Sequence, residues 1–248
     1  MKSACGDEGR SSGGVLAGER ALSRRMAPFA ALVAILVPAA VAVDPVAGTL
    51  YADWPRPLWL VAEFTTHFGE AQWILAPTAL IALVAWVRNP AAALDMEAPP
   101  SKLVRICAFL FAVSGSALLL ASILKSVFGR ARPQLMQTVG PFSWQPGSFE
   151  AAHMSFPSGH AASIGAACMA AALLWPRLRF LFFGVAVWLA LTRVFVGAHY
   201  PSDVVAGLLL GVAVTLCLAA VTERRGFLAF PEAGRPRSFG HAAAEPQP

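Results

Sequence analysis

The stretch Phe156–Trp175, FPSGHAASIGAACMAAALLW, begins with small polar residues and a histidine and is almost wholly apolar from Ala161 onward. Proline is favoured at the first position of a helix, where its missing N–H would be unpaired anyway, so Pro157 predicts a helix start. The backbone N–H groups that follow would lack partners within the helix and would attract an anion. Gly159, without a Cβ, lets an anion approach the backbone closely. We therefore interpret the polar start as a cradle for an oxyanion.

The composition of the whole chain is that of a membrane protein. Of its 248 residues 57% are hydrophobic and only 13% are charged, about half the charged fraction of a typical soluble domain. Six apolar runs of 17 to 22 residues are each long enough to cross a bilayer core. The sequence therefore predicts an all-α fold, a bundle of six transmembrane helices. The runs are Ala27–Val43, Ala71–Val87, Leu103–Leu124, Pro157–Trp175, Leu178–Val196 and Pro201–Val221.

The basic residues predict the orientation of this bundle. With both termini in the cytoplasm, 14 of the 19 lysine and arginine residues flank the cytoplasmic helix ends, as the positive-inside rule favours. Basic residues on the other side need a separate reason, and four of the five there belong to the motifs described below. The five are Arg56, Lys125, Arg130, Arg132 and Arg193.

The orientation divides the chain into three parts. Residues 1–26 are predicted to be a cytoplasmic segment, residues 27–221 the membrane domain, and residues 222–248 a disordered cytoplasmic tail. We favour a retained first span, but Arg24 and Arg25 leave a twin-arginine signal as an alternative. Met26 is an alternative to Met1 as the start of the chain. The segment Pro57–Trp73 mixes aromatic and acidic residues and predicts a short amphipathic helix along the membrane interface.

The sequence gives no indication of a nucleic-acid partner or of a metal. The net charge of +5 comes mostly from residues that flank apolar runs, and it forms no basic stripe interleaved with aromatic residues. The four cysteines lie far apart, without the spacing of a zinc site. No cofactor is predicted, and the oligomeric state is left open.

Three polar clusters lie at the ends of the predicted helices: KSVFGRARP at 125–133, PSGH at 157–160 and TRVFVGAHYPSD at 192–203. The third and fifth spans run outward and the fourth and sixth run inward. All three clusters are therefore expected at one depth on the extracytoplasmic side. Three cations that converge there would repel one another unless an anion lay between them, and guanidinium groups suit phosphate oxygens.

Two histidines and one carboxylate complete the predicted site. Asp203 would be the third residue of a helix that begins at Pro201, and a carboxylate there can point back at the His199 ring. Such a partner fixes the tautomer of a nucleophilic imidazole. His160, at the start of the other helix, is free to donate a proton near neutral pH.

Together these clusters resemble the three signature motifs of the type 2 phosphatidic acid phosphatases, which vanadium haloperoxidases and bacterial acid phosphatases share. The resemblance covers residues 103–221, including the order of the helices. Thr192 stands where the family usually has a serine, and it keeps a hydroxyl group. The matching positions are Lys125, Arg132 and Pro133; Pro157, Ser158, Gly159 and His160; and Arg193, His199 and Asp203.

The resemblance implies a role for each matched residue. His199 would attack phosphorus to form a phosphohistidine, Asp203 would orient it, and His160 would protonate the leaving alcohol and later activate water. Arg130 is a further candidate cation, and no metal is required because the cations stabilise the charge. The implied phosphate-binding residues are Lys125, Arg132, Ser158, Gly159 and Arg193.

The sequence leaves three functions open. The favoured one is a multi-pass cell-membrane enzyme that hydrolyses a lipid phosphomonoester or pyrophosphate on the extracytoplasmic side. The second is a lipid phosphotransferase that uses the same intermediate, and the third is a non-catalytic binder or transporter of anionic lipids. Phosphatidate, phosphatidylglycerophosphate, polyprenyl pyrophosphate and lipid A phosphates are not distinguished. His153 and Glu150 lie near the motifs but match none of them.

Overall fold

Helices account for almost all of the regular structure in the computed structural model, which describes residues 8–50, 53–88 and 101–231. Within those ranges there is no strand, only one isolated β-bridge between Arg130 and Trp144. The chain is therefore all-α in its described part, as predicted. The α-helices are α1 Glu8–Leu50, α2 Arg56–Thr66, α3 Gln72–Arg88, α4 Lys102–Phe128, α5 Met136–Val139, α6 Gly159–Leu174, α7 Arg179–Phe195 and α8 Pro201–Arg224.

Five helical stretches in the described residues are long and apolar enough to cross a membrane. The fourth predicted run is also helical, but α6 has only 16 residues, which is about 24 Å at the usual rise per residue. A bilayer core is about 30 Å thick, so length alone does not establish the sixth span. The five stretches are Phe29–Leu50, Arg56–Arg88, Lys102–Phe128, Pro176–Phe195 and Pro201–Arg224.

Helix α6 lies at the centre of the bundle and packs against α4, α7 and α8. Twelve of its 16 residues are buried and none is exposed, so most of its surface meets other parts of the protein. Its closest neighbour is α8, because Gly211 and Gly207 bring the two backbones together: a Cβ added at Gly211 would overlap the carbonyl oxygen of Ala162. Small residues at such an interface permit close van der Waals contact, which drives helix association in membranes.

The outer helices complete the bundle around this centre. Helix α1 packs on α8, α3 packs on α4, and α2 packs on α7. The main apolar core joins α4 and α6 through buried Phe109, Val113, Ala117 and Ala166. The ends of α4 and α7 and the starts of α6 and α8 lie at one end of the bundle, where the C-terminal parts of α1 and α2 also reach them.

The segment that follows the last apolar run differs from the sequence prediction. Residues 222–231, assigned to a disordered tail, extend α8 to Arg224 and then fold back onto α4. Arg105 Nη1 donates to the Phe227 carbonyl at 3.2 Å, and the Phe230 ring lies 5.1 Å from that of Phe109. The rest of the predicted tail, 232–248, lies outside the described residues, as do residues 1–7.

The predicted amphipathic segment, Pro57–Trp73, is not one continuous α-helix. Helix α2 ends at Thr66, a 3₁₀ turn spans His67–Gly69, and α3 begins at Gln72. The end of α2 and the 3₁₀ turn lie beside α7 and α6, so this segment reaches the end of the bundle where the motifs meet. Its position at a membrane interface stays a prediction.

Candidate active site

The three sequence clusters meet at one end of the helix bundle. Lys125 lies in the last turn of α4 and Arg193 in the last turn of α7, while α6 and α8 begin beside them. A Cβ added at Gly159 would lie 3.7 Å from Lys125 Nζ. The charges of Lys125, Arg132 and Arg193 act on one another, so the predicted convergence of the cations is present.

The start of α6 differs in detail from the prediction. The helix begins at Gly159 with Ser158 as its N-cap, and the Ser158 hydroxyl accepts a hydrogen bond of 3.4 Å from the Ala161 N–H. The prediction that Pro157 is the first helical residue is therefore wrong, whereas Pro201 does begin α8. The Ser158 N–H is also engaged, since it donates to the Asp203 carbonyl at 2.9 Å. The backbone donors left for an anion at this helix start belong to Gly159 and His160.

His199 and Asp203 form a buried pair at the start of α8. His199 Nδ1 lies 3.6 Å from Asp203 Oδ2, and the two side chains are 2% and 0% exposed. The same oxygen accepts the Tyr200 N–H at 2.9 Å, which completes a capping box with Tyr200 as the N-cap. The predicted backward orientation of the Asp203 carboxylate is therefore present. Burial lowers the pKa of His199 to about 4, although the nearby Asp203 carboxylate opposes that shift.

Ser155 is a member of this group that the sequence analysis missed. Its hydroxyl donates to Asp203 Oδ2 at 2.5 Å and lies 3.4 Å from His199 Nδ1. The Ser155 side chain is fully buried. No motif includes position 155, and the available signal in the sequence was its place two residues before the PSGH cluster.

Two arginines at the site have buried N–H groups without an acceptor among the described residues. Within the described residues, the buried Nε atoms of Arg132 and Arg193 have no hydrogen-bond partner. Burial also lowers the pKa of Arg132, with the Asp203 charge opposing it. A buried unpaired donor costs free energy comparable to a lost hydrogen bond. These two arginines therefore present charge and directed N–H groups suited to an oxyanion.

Thr66 holds one of these arginines in place. Its hydroxyl oxygen accepts a hydrogen bond of 2.8 Å from Arg193 Nη1 and lies 3.0 Å from the Thr192 hydroxyl, which donates to the Leu189 carbonyl at 2.7 Å. Thr66 is buried at the end of α2, more than a hundred residues before Arg193. The hydroxyl that Thr192 retains therefore contacts Thr66, the residue that holds Arg193. Sequence spacing did not indicate this contact.

Arg130 does not belong with the phosphate-binding cations. A guanidinium has five N–H donors, and Arg130 makes five hydrogen bonds, to Pro141, Ser202, Asp203 and Asp44. The residue is 1% exposed. The prediction of Arg130 as a further cation for phosphate is therefore wrong, because no donor is left for an anion.

His160 lies half-buried in the first turn of α6. A Cβ added at Gly69 would lie 4.0 Å from its Cδ2 atom, and its ring is close enough to His199 and Arg193 for their charges to act on it. His153 instead pairs with Glu150, at 3.4 Å between Nδ1 and Oε2. No contact among the described residues joins His153 or Glu150 to the two histidines of the site.

The described part of the chain also contains no group of three or more histidine, cysteine, aspartate or glutamate residues that is arranged to hold a metal ion.

Comparison with known proteins places the chain in a family. A sequence model of the PAP2 superfamily matches residues 105–227. A protein named lipid A 1-phosphatase from Rhizobium johnstonii is 41% identical over 182 residues, which cover 70% of this chain and 72% of that protein. This chain belongs to the PAP2 superfamily. A lipid A 1-phosphatase from Rhizobium etli is 42% identical over 185 residues, covering 71% and 77% of the two chains.

Two more distant relatives of this PAP2 protein agree with that assignment. An undecaprenyl-diphosphatase from Sulfolobus acidocaldarius is 30% identical over 103 residues, 39% of this chain and 50% of that protein. The crystal structure of a transmembrane PAP2-type phosphatidylglycerolphosphate phosphatase from Bacillus subtilis has the same fold. Its TM-score is 0.52 at 22% identity, with 82% of this chain and 95% of that chain covered. This PAP2 protein is therefore a phosphatase, a phosphoric monoester hydrolase, and a multi-pass membrane protein.

Proposed function

We propose that this protein is a membrane lipid phosphatase that removes the 1-phosphate of a lipid A-type glycolipid through a phosphohistidine intermediate. One observation carries the proposal: the buried Nε–H groups of Arg132 and Arg193 have no hydrogen-bond partner within the described residues. Both arginines are also close enough to Lys125, and Lys125 and Arg132 to the His199–Asp203 pair, for their charges to act on one another. A phosphate dianion would satisfy both donors and relieve the repulsion among the cations.

In the first step, His199 is the nucleophile. Its Nδ1 faces Asp203 and Ser155, so Nε2 is the nitrogen left to attack phosphorus. The N–P bond forms while the bond from phosphorus to the sugar oxygen breaks. The negative charge of the bound phosphate favours the protonated form of His160, which donates its proton to the leaving oxygen and becomes neutral, and the leaving group departs as the alcohol. The Asp203 carboxylate stabilises the positive charge on the phosphorylated imidazole.

The second step returns the enzyme to its starting state. Neutral His160 takes a proton from water as the water oxygen attacks phosphorus, and the N–P bond breaks to release inorganic phosphate. Lys125, Arg132 and Arg193, with the first N–H groups of α6, stabilise the charge on the phosphoryl oxygens in both steps. We propose that these groups suffice without a metal ion.

The substrate assignment rests on the relatives. Both proteins that exceed 40% identity over 70% of this chain carry the name lipid A 1-phosphatase, whereas the undecaprenyl-diphosphatase matches a shorter region at lower identity. We place the active site on the extracytoplasmic side, because that orientation leaves 14 of the 19 lysine and arginine residues in the cytoplasm.

A panel of substrates tests the proposal. Purified protein in detergent is assayed with chelator for phosphate release from lipid A, undecaprenyl diphosphate, phosphatidate and phosphatidylglycerophosphate. We expect the highest kcat/KM with lipid A, loss of the 1-phosphate only, and no activity above background for His199→Ala. The control His67→Ala removes an exposed imidazole and should leave activity intact.

Other outcomes of the panel would contradict parts of the proposal. Faster hydrolysis of undecaprenyl diphosphate would overturn the substrate assignment. Transfer of labelled phosphate to a second lipid, without release to water, would identify a phosphotransferase. Activity that chelator abolishes and a divalent cation restores would contradict the metal-independent mechanism.

A further inference from the structure

Asp44, near the C-terminal end of α1, is joined to the start of α8. The residue is fully buried. Its Oδ1 accepts the Ser202 N–H at 2.9 Å, and its Oδ2 accepts the Ser202 hydroxyl at 2.5 Å. Ser202 is the second residue of α8, so the Asp44 carboxylate satisfies an N–H group that the helix itself leaves unpaired and interacts favourably with the positive helix end.

Arg130 connects this carboxylate to the catalytic one. Its Nη2 donates to Asp44 Oδ2 at 2.8 Å, and its Nη1 donates to Asp203 Oδ1 at 2.6 Å. The guanidinium therefore bridges two buried carboxylates that come from α1 and α8. Truncating one member of such a buried charge network leaves an uncompensated charge, which is strongly unfavourable.

We propose that Arg130 and Asp44 are positioning residues that hold Asp203 in the orientation His199 needs, an inference that rests on the proposed nucleophilic role of His199. Asp203 uses Oδ2 for the Ser155 hydroxyl and the Tyr200 N–H, on the side that faces the imidazole. Its other oxygen, Oδ1, is held by Arg130. Contacts on both oxygens prevent the carboxylate from rotating away from His199.

The Arg130 backbone contributes to the same arrangement. Its carbonyl oxygen accepts the Ser155 N–H at 3.0 Å, so one residue holds Asp203 directly and also positions the serine that bonds to it. Aromatic rings surround the guanidinium, with the centroids of Tyr200, Trp144 and Phe142 at 4.4, 5.4 and 5.8 Å from its Cζ. This enclosure keeps solvent away from the ion pairs and fixes the arginine itself.

The charge of the network favours the reaction that His199 is proposed to perform. Asp44 and Asp203 carry two negative charges and Arg130 carries one positive charge, so the ionised group is negative by one. Phosphorylation of neutral His199 creates a positive imidazole next to Asp203, at a buried position where charges interact strongly. Asp44 thereby balances Arg130, which leaves the Asp203 charge available to His199.

The experiment separates positioning from phosphate binding and from a purely structural role. Steady-state kinetics with p-nitrophenyl phosphate, a soluble phosphomonoester, are measured for wild type, Asp44→Asn and Arg130→Met, with kcat expressed per folded molecule from size-exclusion in detergent. Asp53→Asn, at an exposed position, is the control. We expect kcat to fall about tenfold for Asp44→Asn and about a hundredfold for Arg130→Met, from the strength of hydrogen bonds to charged groups, with KM changed less than about twofold.

Two results would overturn the proposal. A raised KM at unchanged kcat would mean that the network binds phosphate, and an unchanged kcat per folded molecule would mean that it only stabilises the fold. If Arg130→Met yields no folded protein, the isosteric Asp44→Asn carries the same test. Because the assay uses a soluble phosphate ester, its result does not depend on whether lipid A is the preferred substrate in the panel.

Discussion

The Ser155 hydroxyl donates a 2.5 Å hydrogen bond to Oδ2 of Asp203, the oxygen that faces His199. It lies 3.4 Å from Nδ1 of the same imidazole. Ser155 is therefore placed between the two members of the proposed nucleophilic pair, although it belongs to none of the three motifs. Its hydrogen bond fixes the carboxylate from the side opposite Arg130.

Ser155→Ala should lower kcat about tenfold, because a hydrogen bond to a charged group contributes about 1.5–3 kcal/mol. KM should change little, since the Ser155 hydroxyl contacts the proposed nucleophilic pair. Ser122→Ala is the matched control: its hydroxyl is exposed and donates to the Leu118 carbonyl of its own helix. Steady-state kinetics on both variants check the prediction, and equal kcat values for the two would contradict it.

Thr66→Val should raise KM about five- to tenfold with a smaller effect on kcat, because the variant loses the acceptor for Arg193 Nη1 and leaves that buried donor unsatisfied. Valine has nearly the shape of threonine, so packing should be preserved. The control is Thr65→Val, at the preceding position, whose hydroxyl donates to backbone carbonyls of its own helix. An unchanged KM for Thr66→Val would show that Arg193 does not need the Thr66 hydroxyl to bind substrate.

Acid should destabilise the protein through His199. The pKa of this imidazole is about 4 in the folded protein because of burial, against about 6.5 in an unfolded chain. Below pH 6.5 the unfolded state binds a proton that the folded state does not, so stability is fully present above pH 6.5 and is lost progressively down to pH 4.

Thermal unfolding in detergent at pH 7.5 and pH 4.5 measures this effect. His199→Gln removes the titrating group, so the Tm of the variant should fall less than that of wild type between pH 7.5 and pH 4.5. His67→Gln, at an exposed position, controls for the loss of an imidazole in general. An equal fall in Tm for wild type and His199→Gln would rule out a buried neutral imidazole at position 199.

Gly211→Ala should destabilise the bundle by about 1–3 kcal/mol, the usual cost of overpacking. The new methyl group would overlap the Ala162 carbonyl and lie 2.6 Å from the Ala166 nitrogen, so α6 and α8 must move apart. That movement separates His160 from His199, and activity should fall with stability. Gly184→Ala is the control, because a Cβ there meets nothing within 4 Å; a similar loss in both variants would exclude close packing as the cause.

The sequence by itself determined the helical class, the approximate positions of the apolar helices and the meeting of the three motifs at one end. These features follow from local chemistry: apolar runs of sufficient length form helices in lipid, where every backbone polar group must be satisfied internally. Helix direction then decides which ends share a side. The capping box of Asp203 was also accessible, since it depends on residues only three apart.

Only the tertiary structure decided which side chains support the motifs. Thr66 reaches Arg193 across 127 positions, and Asp44 reaches Arg130 across 86. No periodicity links residues so far apart, because such contacts depend on how whole helices pack. The same is true of Arg130: its sequence neighbours suggested a phosphate ligand, but the packing of α1 against α8 surrounds it with carboxylates and leaves it no free donor.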